Sequence, residues 1–357
     1  MKALHSVSDL VATGLMTPEA GDAVRTVAER YAVAVTPYLR ETLAGRTDPA
    51  DPLYAQYVPA PAEGYTAPEE REDPIGDVAR SPVKGIVHRY PDRVLLKPLH
   101  ACAVYCRFCF RREMVGPGGE ALTAEELDAA LAYIREHEEV WEVVVTGGDP
   151  LLLSPRRLRG IVEALSAMPH VGVLRLHSRI PAADPDRVTP ELVEALTSPD
   201  LATWIAVHVN HADELTPPVR AALARLIDGG IPLVGQTVLL KGINDSHAAL
   251  EALFRGLVRN RVKPYYLHHP DLAAGTSHFR PTLAEGRALV KGLRGRLSGL
   301  CQPTYVLDIP GGHGKAPAAE SWVEPSVDAD GDGSGDGGGD GGYRVTDFTG
   351  RVHGYRG

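Results

Sequence analysis

Short apolar segments alternate with helical patterns along most of this chain, and this alternation constrains the fold more than any other feature. The apolar segments are rich in β-branched residues. They predict strands at residues 94–99, 143–146, 171–177, 203–209, 231–240, 263–268 and 304–308. Strands that are apolar on both faces and separated by helices predict a parallel sheet covered on each side. With this number of β/α units, we expect an α/β fold with a full or partial (β/α) barrel.

The helical segments carry recognisable start signals. At residues 124–137, Thr123 and Glu126 form a capping box ahead of an apolar stripe. Several of the other helices begin with proline, which is favoured at the first helical position. They are predicted at residues 155–168, 190–196, 217–228, 248–260 and 283–297.

The two ends of the chain predict extensions of this barrel. Residues 1–80 combine a helical stretch near 18–31 with a Pro-, Asp- and Glu-rich part at 48–74, and predict a helical segment wrapped around a barrel of residues 81–320. Residues 321–357 predict a C-terminal extension, with a flexible Gly/Asp loop at 327–342 and a strand at 343–353. The loop is not an EF-hand, because the twelfth position from Asp328 is Gly339.

Charge and hydropathy exclude several classes of function. The formal net charge of −9 gives no indication of nucleic-acid binding, since five of the acidic residues belong to the Gly/Asp loop. The N-terminus lacks the apolar part of a signal peptide, and no apolar run is long enough to cross a membrane. We therefore expect a soluble, cytoplasmic protein.

Three cysteines follow the first predicted strand with the spacing C-x₃-C-x₂-C, namely Cys102, Cys106 and Cys109. Fe–S clusters are normally held by four cysteines. Three therefore predict a 4Fe–4S cluster with one iron open to another ligand. Structural zinc is the alternative, but it usually takes four ligands in two pairs, and the only other cysteine, Cys301, lies far away in sequence.

Two glycine-rich turns follow predicted strands. Gly147, Gly148 and Asp149 join a strand to a helix, where glycine lets the backbone approach a ligand, although such a turn requires glycine in any case. Lys315 ends a second turn that does not match a Walker A loop. A lysine in this place suits Schiff-base chemistry with an aldehyde cofactor. An exposed surface lysine is the alternative.

A basic segment precedes the first predicted strand. Arg89, Tyr90 and Arg93 offer two guanidinium groups and a phenol, which are suitable donors for a phosphate. A pair of solvated arginines is the alternative on this segment alone.

These motifs together resemble the lysine 2,3-aminomutase family of the radical S-adenosylmethionine superfamily. The cysteine spacing is the signature of that superfamily, as are the aromatic residues Tyr105 and Phe108 before the second and third cysteines. The resemblance covers roughly residues 30–320. Beyond the motifs above, it rests on segments 177–179, 208–211, 236–240, 271–280 and 308–315.

The resemblance implies three cofactors. The open iron binds S-adenosylmethionine, which is split reductively to a 5′-deoxyadenosyl radical, with electrons from a reductant protein such as flavodoxin or ferredoxin. Lys315 carries pyridoxal 5′-phosphate. The residues implied around the phosphate are Arg89, Tyr90 and Arg93, and those implied around S-adenosylmethionine are Gly147, Gly148, Asp149, His208 and Gln236. Without the resemblance, His208 is equally well explained as a core histidine.

The resemblance also implies that Arg111 binds the substrate carboxylate and that Asp271 and Asp308 receive the far end of the substrate. Two unpaired carboxylates in a pocket are costly, so they favour a cationic ligand. A lysine ε-ammonium fits this site, whereas a glutamate side chain is repelled. The sequence therefore predicts a lysine 2,3-aminomutase, an isomerase that interconverts L-lysine and β-lysine, either in metabolism or for the modification of elongation factor P.

Two other functions stay open from the sequence. One is an aminomutase for another amino acid, such as glutamate or arginine. The other is a non-catalytic iron–sulfur or zinc-binding regulatory protein. Ser246 stands where zinc-bridged relatives carry a cysteine, so we expect no structural zinc, and assembly into a homo-oligomer is left open.

Overall fold

A computed structural model of the protein describes residues 2–326 and 342–355. The Gly/Asp loop predicted at residues 327–342 lies outside the described residues, apart from its last glycine, and its flexibility stays a prediction. The division into segments 1–80, 81–320 and 321–357 also stays a prediction.

A nine-stranded sheet forms the centre of the molecule, and its strands follow one another in chain order. Strands β2 to β8 pair in parallel, whereas β1 and β9 are antiparallel edge strands. The strands are β1 (Ile86–Tyr90), β2 (Arg93–Leu99), β3 (Glu142–Gly147), β4 (Val173–Ser178), β5 (Ala202–His208), β6 (Leu233–Val238), β7 (Val262–His268), β8 (Thr304–Ile309) and β9 (Gly314–Pro317). This curled, mainly parallel sheet confirms the predicted α/β fold with a partial barrel.

Side chains connect the two edges of the sheet. The hydroxyl of Tyr90 on β1 accepts the backbone N–H of Lys315 on β9 at 2.7 Å. Arg89, also on β1, has Nη1 3.8 Å from a carboxylate oxygen of Asp308 on β8. Among the described residues, no backbone hydrogen bonds pair the first strand with the last, so the two edge strands face each other across a gap.

Helices cover the outer face of the sheet and form the N-terminal segment. Helix α6 begins at the predicted capping box, where Thr123 and Glu126 each accept the other's backbone N–H. Among the described residues, no helix is long and apolar enough to span a membrane. The helices are α1 (Val7–Ala12), α2 (Pro18–Ala23), α3 (Arg25–Arg30), α4 (Pro37–Thr42), α5 (Tyr54–Tyr57), α6 (Ala124–Glu136), α7 (Pro155–Ser166), α8 (Ile180–Ala183), α9 (Pro190–Ala195), α10 (Pro217–Asp228), α11 (His247–Arg259) and α12 (Leu283–Leu293).

Two large apolar cores hold these layers together. The larger core lies between the sheet and the helices that follow its strands, and includes Leu96, Val145 and Phe254. The second core is formed by the N-terminal helices and includes Val104 and Tyr105 of the cysteine loop. The N-terminal segment is therefore packed directly on that loop.

Several elements differ from the sequence prediction. The single helix expected near residues 18–31 is two helices, because Val24 leaves helical geometry with φ −106° and ψ 7°. Strands β1 and β9 were not predicted, since both are short and carry polar residues. The single strand expected at residues 343–353 is a hairpin, and with β10 (Val323–Pro325) its strands β11 (Tyr343–Thr346) and β12 (Val352–Tyr355) form a second, three-stranded sheet.

Candidate active site

A cavity of about 500 Å³ lies inside the partial barrel. Side chains of β1 to β9 and the loops at the C-terminal ends of the parallel strands form its wall. Every residue that the sequence proposed for the site lines this one cavity: Cys102, Cys106, Cys109, Arg89, Tyr90, Arg93, Arg111, Gly147, Gly148, Asp149, His208, Gln236, Asp271, Asp308 and Lys315. Their individual roles stay predictions.

The three cysteines lie on the loop between β2 and α6. Burial raises the pKa of all three thiols, so they keep their protons unless a metal cation replaces them. Backbone hydrogen bonds fix the loop to the N-terminal segment, from the N–H of Tyr105 to the carbonyl of Ala34 at 3.0 Å among others. In the part of the chain that the structure describes, no three His, Cys, Asp or Glu side chains converge on a single metal ion.

A buried carboxylate pairs with two arginines of the same loop. Glu63 of the N-terminal segment accepts hydrogen bonds from Arg107 Nε at 2.9 Å and Nη2 at 2.6 Å, and it also pairs with Arg112. The side chains of Glu63 and Arg107 are both 0% exposed. The sequence analysis missed Glu63, because its partners lie more than forty positions away along the chain.

The glycine turn after β3 packs against the cysteine loop. A Cβ atom on Gly148 would lie 2.1 Å from the carbonyl oxygen of Ala101, so this contact requires glycine. Asp149 accepts hydrogen bonds from Ser178 Oγ and the backbone N–H of Arg179, each at 2.7 Å. Burial nevertheless raises the pKa of Asp149. The turn joins the loops after β3 and β4, and its contact with S-adenosylmethionine stays a prediction.

His208 and Gln236 are neighbours across β5 and β6. The ring of His208 packs on Phe108 of the cysteine loop, with centroids 5.5 Å apart, and its Nε2 lies 3.2 Å from Asn210 Oδ1. Burial lowers the pKa of His208 well below its usual range, so the ring is neutral at pH 7. Both side chains therefore belong to the cysteine end of the cavity.

Lys315 lies on β9 and lines the same cavity. Its Nζ donates to Asp308 Oδ1 at 2.8 Å. Burial opposes ionisation of Asp308, but the ring of His268, whose Nδ1 lies 3.6 Å from Oδ2, and the ammonium of Lys315 lower its pKa. Burial and the charge of Asp308 raise the pKa of Asp271. The ionisation of each carboxyl group thus depends on the charge of the other, as it does for interacting acids in a shared pocket.

The predicted phosphate donors surround Lys315. The guanidinium of Arg93 lies over the ring of Tyr90, 3.8 Å from its centroid, and the Tyr90 hydroxyl contacts the backbone of Lys315. Arg89 donates to Asp77 at 3.2 Å, and its Nε is buried without a hydrogen-bond partner among the described residues. Two cationic groups and a phenol therefore lie beside the lysine, an arrangement that fits a phosphate.

Arg111 lies on the cysteine loop, and its guanidinium pairs with a carboxylate that lies outside the cavity lining. Its Nε and Nη2 donate to Asp77 Oδ2 at 3.0 and 2.9 Å. Arg111 lines the cavity, whereas Asp77 does not. The sequence analysis did not identify Asp77, which belongs to the N-terminal segment.

Two further histidines on the wall were also missed, His177 on β4 and His268 on β7. The Nε2 atom of each is buried and has no hydrogen-bond partner within the described residues. Burial lowers the pKa of both rings. Unpaired buried polar atoms are costly, so a ligand with polar ring substituents would stabilise them. Their position near the C-terminal ends of predicted strands is the signal that could have identified them.

Comparisons with known proteins agree with this geometry. Residues 96–253 match the Radical SAM superfamily. The L-lysine 2,3-aminomutase of Acetoanaerobium sticklandii is 40% identical over 320 residues, which cover 90% of this chain and 77% of that protein. The enzyme of the same name from Clostridium subterminale is 39% identical, with 90% and 76% covered. The glutamate 2,3-aminomutase of Clostridioides difficile is 34% identical over 302 residues, with 85% and 71% covered.

Proposed function

Because this chain belongs to the lysine 2,3-aminomutase family of radical S-adenosylmethionine enzymes, we propose that it interconverts L-lysine and β-lysine. It is an isomerase of the aminomutase type, and it uses an iron–sulfur cluster and S-adenosylmethionine. The observation that carries the choice of lysine is the pair of carboxylates, Asp271 and Asp308, on the wall of the cavity that also contains Lys315.

The two ends of the cavity suit two different cofactors. When bound, the cluster with S-adenosylmethionine supplies a carbon radical, and pyridoxal phosphate supplies an aldehyde and a conjugated ring. Cys102, Cys106 and Cys109 would hold the cluster. Lys315 would hold the aldehyde, and the basic residues beside it would hold the phosphate. The unpaired Nε atom of Arg89 and the Nε2 atoms of the wall histidines support this placement, since they need partners.

The cavity wall already binds one ammonium group, which is that of Lys315 itself. Lys315 Nζ lies 2.8 Å from Asp308, with Asp271 on the same wall. Because Lys315 would hold the aldehyde of the cofactor, the ε-ammonium of a lysine substrate would take the place of Nζ beside Asp308. A glutamate substrate would instead add a third carboxylate to a buried acidic pair, which is strongly unfavourable. A glutamate aminomutase is among the relatives, but the acidic pair favours a cationic substrate.

The carboxylate of the substrate requires a fixed cation. Arg111 donates to Asp77 through Nε and Nη2. Within the described residues no hydrogen bond engages its Nη1 group, which would be available to a ligand in the cavity. With Arg111 as the partner of the α-carboxylate and the acidic pair as the partner of the ε-ammonium, the protein would hold both ends of a lysine molecule. Placement of this kind, with water excluded from a buried cavity, is the contribution that the protein makes to catalysis.

A competition assay tests the choice of substrate. Anaerobically reconstituted protein is given S-adenosylmethionine, pyridoxal phosphate, a strong reductant and equal concentrations of L-lysine, L-arginine and L-glutamate. Chiral chromatography with mass spectrometry identifies the products. We expect β-lysine to predominate, and to fall strongly in Asp271→Asn and Asp308→Asn but not in the control Asp228→Asn, an exposed aspartate on the surface.

Other outcomes are equally clear. If deoxyadenosine and methionine form while β-arginine or β-glutamate predominates, the lysine assignment is wrong although the radical chemistry is right. The handedness of the β-lysine assigns the protein to the metabolic enzymes or to those that serve elongation factor P. The flavodoxin or ferredoxin partner, the cytoplasmic location and the homo-oligomer stay predictions.

A further inference from the structure

Three consecutive residues of the N-terminal segment contact separate parts of the cavity wall. The carboxylate of Asp77 accepts hydrogen bonds from Arg111 at 2.9 and 3.0 Å and from Arg89 at 3.2 Å. The carbonyl of Ile75 accepts a second bond from Arg89 at 2.6 Å. One short stretch of chain therefore reaches the arginine assigned to the substrate carboxylate and an arginine assigned to the cofactor phosphate.

The residue between them touches a third part of the site. Gly76 has φ +66°, and a Cβ atom there would lie 2.7 Å from the carbonyl carbon of Gly311. Gly311 belongs to the glycine turn that leads into β9, which carries Lys315. The backbone of this stretch is therefore packed directly on that turn.

Charge explains why the carboxylate of Asp77 is needed. It is 2% exposed and lies within 4 Å of three cations, Arg89, Arg111 and Lys97, the last at 3.8 Å. Burial opposes its ionisation, but the charges of Arg111 and Lys97 lower the pKa of Asp77. Without this carboxylate, the ion pairs of Arg111 and Lys97 with it would be lost, and Arg111 would lose the acceptor that orients it. Arg89 would keep the carbonyl of Ile75 and the more distant carboxylate of Asp308.

The position of Asp77 is itself fixed. Its backbone N–H and that of Val78 each donate to the carboxylate of Asp73 at 2.9 Å. Asp77 does not line the cavity, so any effect on a ligand passes through the arginines.

We propose that Asp77 is a positioning residue that holds Arg111 and Arg89 in one arrangement and so couples binding of the amino acid to binding of the cofactor. This inference rests on the proposed function, which gives the two arginines their ligands. Both orienting bonds of Arg111 go to Asp77, so its orientation depends on this carboxylate. Arg89 keeps its bond to Ile75, so the effect on the amino acid exceeds the effect on the cofactor.

The variant Asp77→Asn tests this with two measurements. We expect the KM for L-lysine to rise roughly 10- to 100-fold with a much smaller change in kcat, because removal of a supporting partner typically costs that factor in affinity. Equilibrium dialysis of pyridoxal phosphate, which needs no turnover, should show a smaller rise in its dissociation constant. Asp77→Glu should restore part of both losses.

A matched control separates positioning from stability. Glu70 lies on the same segment, is buried, and pairs with Arg280 at 2.7 Å, and neither residue lines the cavity. We expect Glu70→Gln to lower the melting temperature without changing the KM or the affinity for pyridoxal phosphate. If Asp77→Asn behaves in the same way as Glu70→Gln, the inference is wrong.

A double-mutant cycle with Arg111→Gln decides whether Asp77 acts through Arg111. We expect Asp77→Asn to raise the KM little further once Arg111 is gone, since residues that act through one another are not additive. A full additional increase would contradict the inference. If wild-type protein does not turn over lysine at all, the proposed function fails. The dialysis measurement still decides whether Asp77 holds Arg89. An unchanged dissociation constant for pyridoxal phosphate in Asp77→Asn would overturn the inference.

Discussion

At the scale of single residues, the charge of the cavity depends on how buried acids and bases are paired. Asp308 is held ionised by His268 and Lys315, whereas burial and the charge of Asp308 make Asp271 harder to ionise. An approaching ammonium group stabilises the ionised form of both acids. Binding of a cationic substrate should therefore be linked to the protonation of Asp271.

This linkage predicts a pH dependence. Because the pKa of Asp271 is raised, the acid is partly protonated at a pH where an ordinary aspartate is fully ionised, and the protonated form attracts an ammonium less strongly. We expect kcat/KM for L-lysine to fall on acidification. This fall should occur at a higher pH than the titration of an ordinary aspartate. Asp308→Asn removes a charge that raises this pKa, so the fall should move to lower pH. An acidic limb at the same pH in Asp308→Asn would contradict the assignment to Asp271.

Gly148 predicts a second effect at this scale. In Gly148→Ala, the new methyl group meets the carbonyl oxygen of Ala101 at 2.1 Å, next to the first cysteine, and the cysteine loop must shift. We expect the reconstituted variant to hold much less iron than wild type. The control is Gly160→Ala on helix α7, where a Cβ atom meets nothing within 4 Å and alanine favours the helix by about 1 kcal/mol. Equal iron content in wild type and Gly148→Ala would refute the prediction.

Two of the residues missed by the sequence analysis share one property. Glu63 and Asp77 act through partners that are distant in sequence, as the pairing of Asp77 with Arg111 across 34 positions illustrates. A single sequence contains no signal for such a pair. The cysteines, Lys315 and Arg89 were found because each belongs to a short motif whose chemistry is local.

At the scale of elements, the N-terminal segment is fixed to the cysteine loop by a buried charge cluster. Arg107 and Arg112 both pair with Glu63, and the three side chains are at most 1% exposed. A buried pair that loses one partner leaves a costly uncompensated charge. The stability of the cysteine loop should therefore depend on a residue outside the barrel.

The variant Glu63→Gln tests this dependence. We expect it to lower the free energy of unfolding of the protein by about 3–5 kcal/mol, because two buried guanidinium groups lose their counterion. Glu69→Gln is the control, since Glu69 lies on the same segment but is 53% exposed in its pair with Arg280. Its effect should stay within about 1 kcal/mol. Urea unfolding followed by circular dichroism measures both, and similar losses in the two variants would argue against a structural role of this cluster.

For elements with a regular apolar pattern, the first and last residues were predicted to within a few positions, as β2 to β8 and α6 illustrate. Strand β1 was missed because it carries His88, Arg89 and Tyr90, whose side chains are only partly buried. The C-terminal hairpin was read as one strand, because its turn depends on Asp347 accepting the backbone N–H groups of Thr349 and Arg351 rather than on an Asn-Gly pair. Such a turn leaves the alternation of the flanking strands almost uninterrupted.

At the scale of the whole molecule, the curled sheet explains why residues from both ends of the barrel share one cavity. Tyr90 on the first strand meets Lys315 on the last, and Arg89 reaches towards Asp308. Two acids of the N-terminal segment then pair with arginines of the barrel. Asp77 pairs with Arg89 and Arg111 on the cavity wall, and Glu63 pairs with Arg107 and Arg112 of the cysteine loop. The cysteine loop, the acidic pair and the lysine are therefore brought together by the closure of the sheet, not by proximity in sequence.

The most direct test of this account is a crystal structure of the reconstituted protein, prepared without oxygen, with S-adenosylmethionine, pyridoxal phosphate and L-lysine. We predict the cluster on Cys102, Cys106 and Cys109, and the phosphate beside Arg89 and Arg93. The carboxylate of the bound lysine should lie on Arg111, and its ε-ammonium between Asp271 and Asp308. A lysine bound in the opposite direction, or a phosphate held elsewhere in the cavity, would contradict the account.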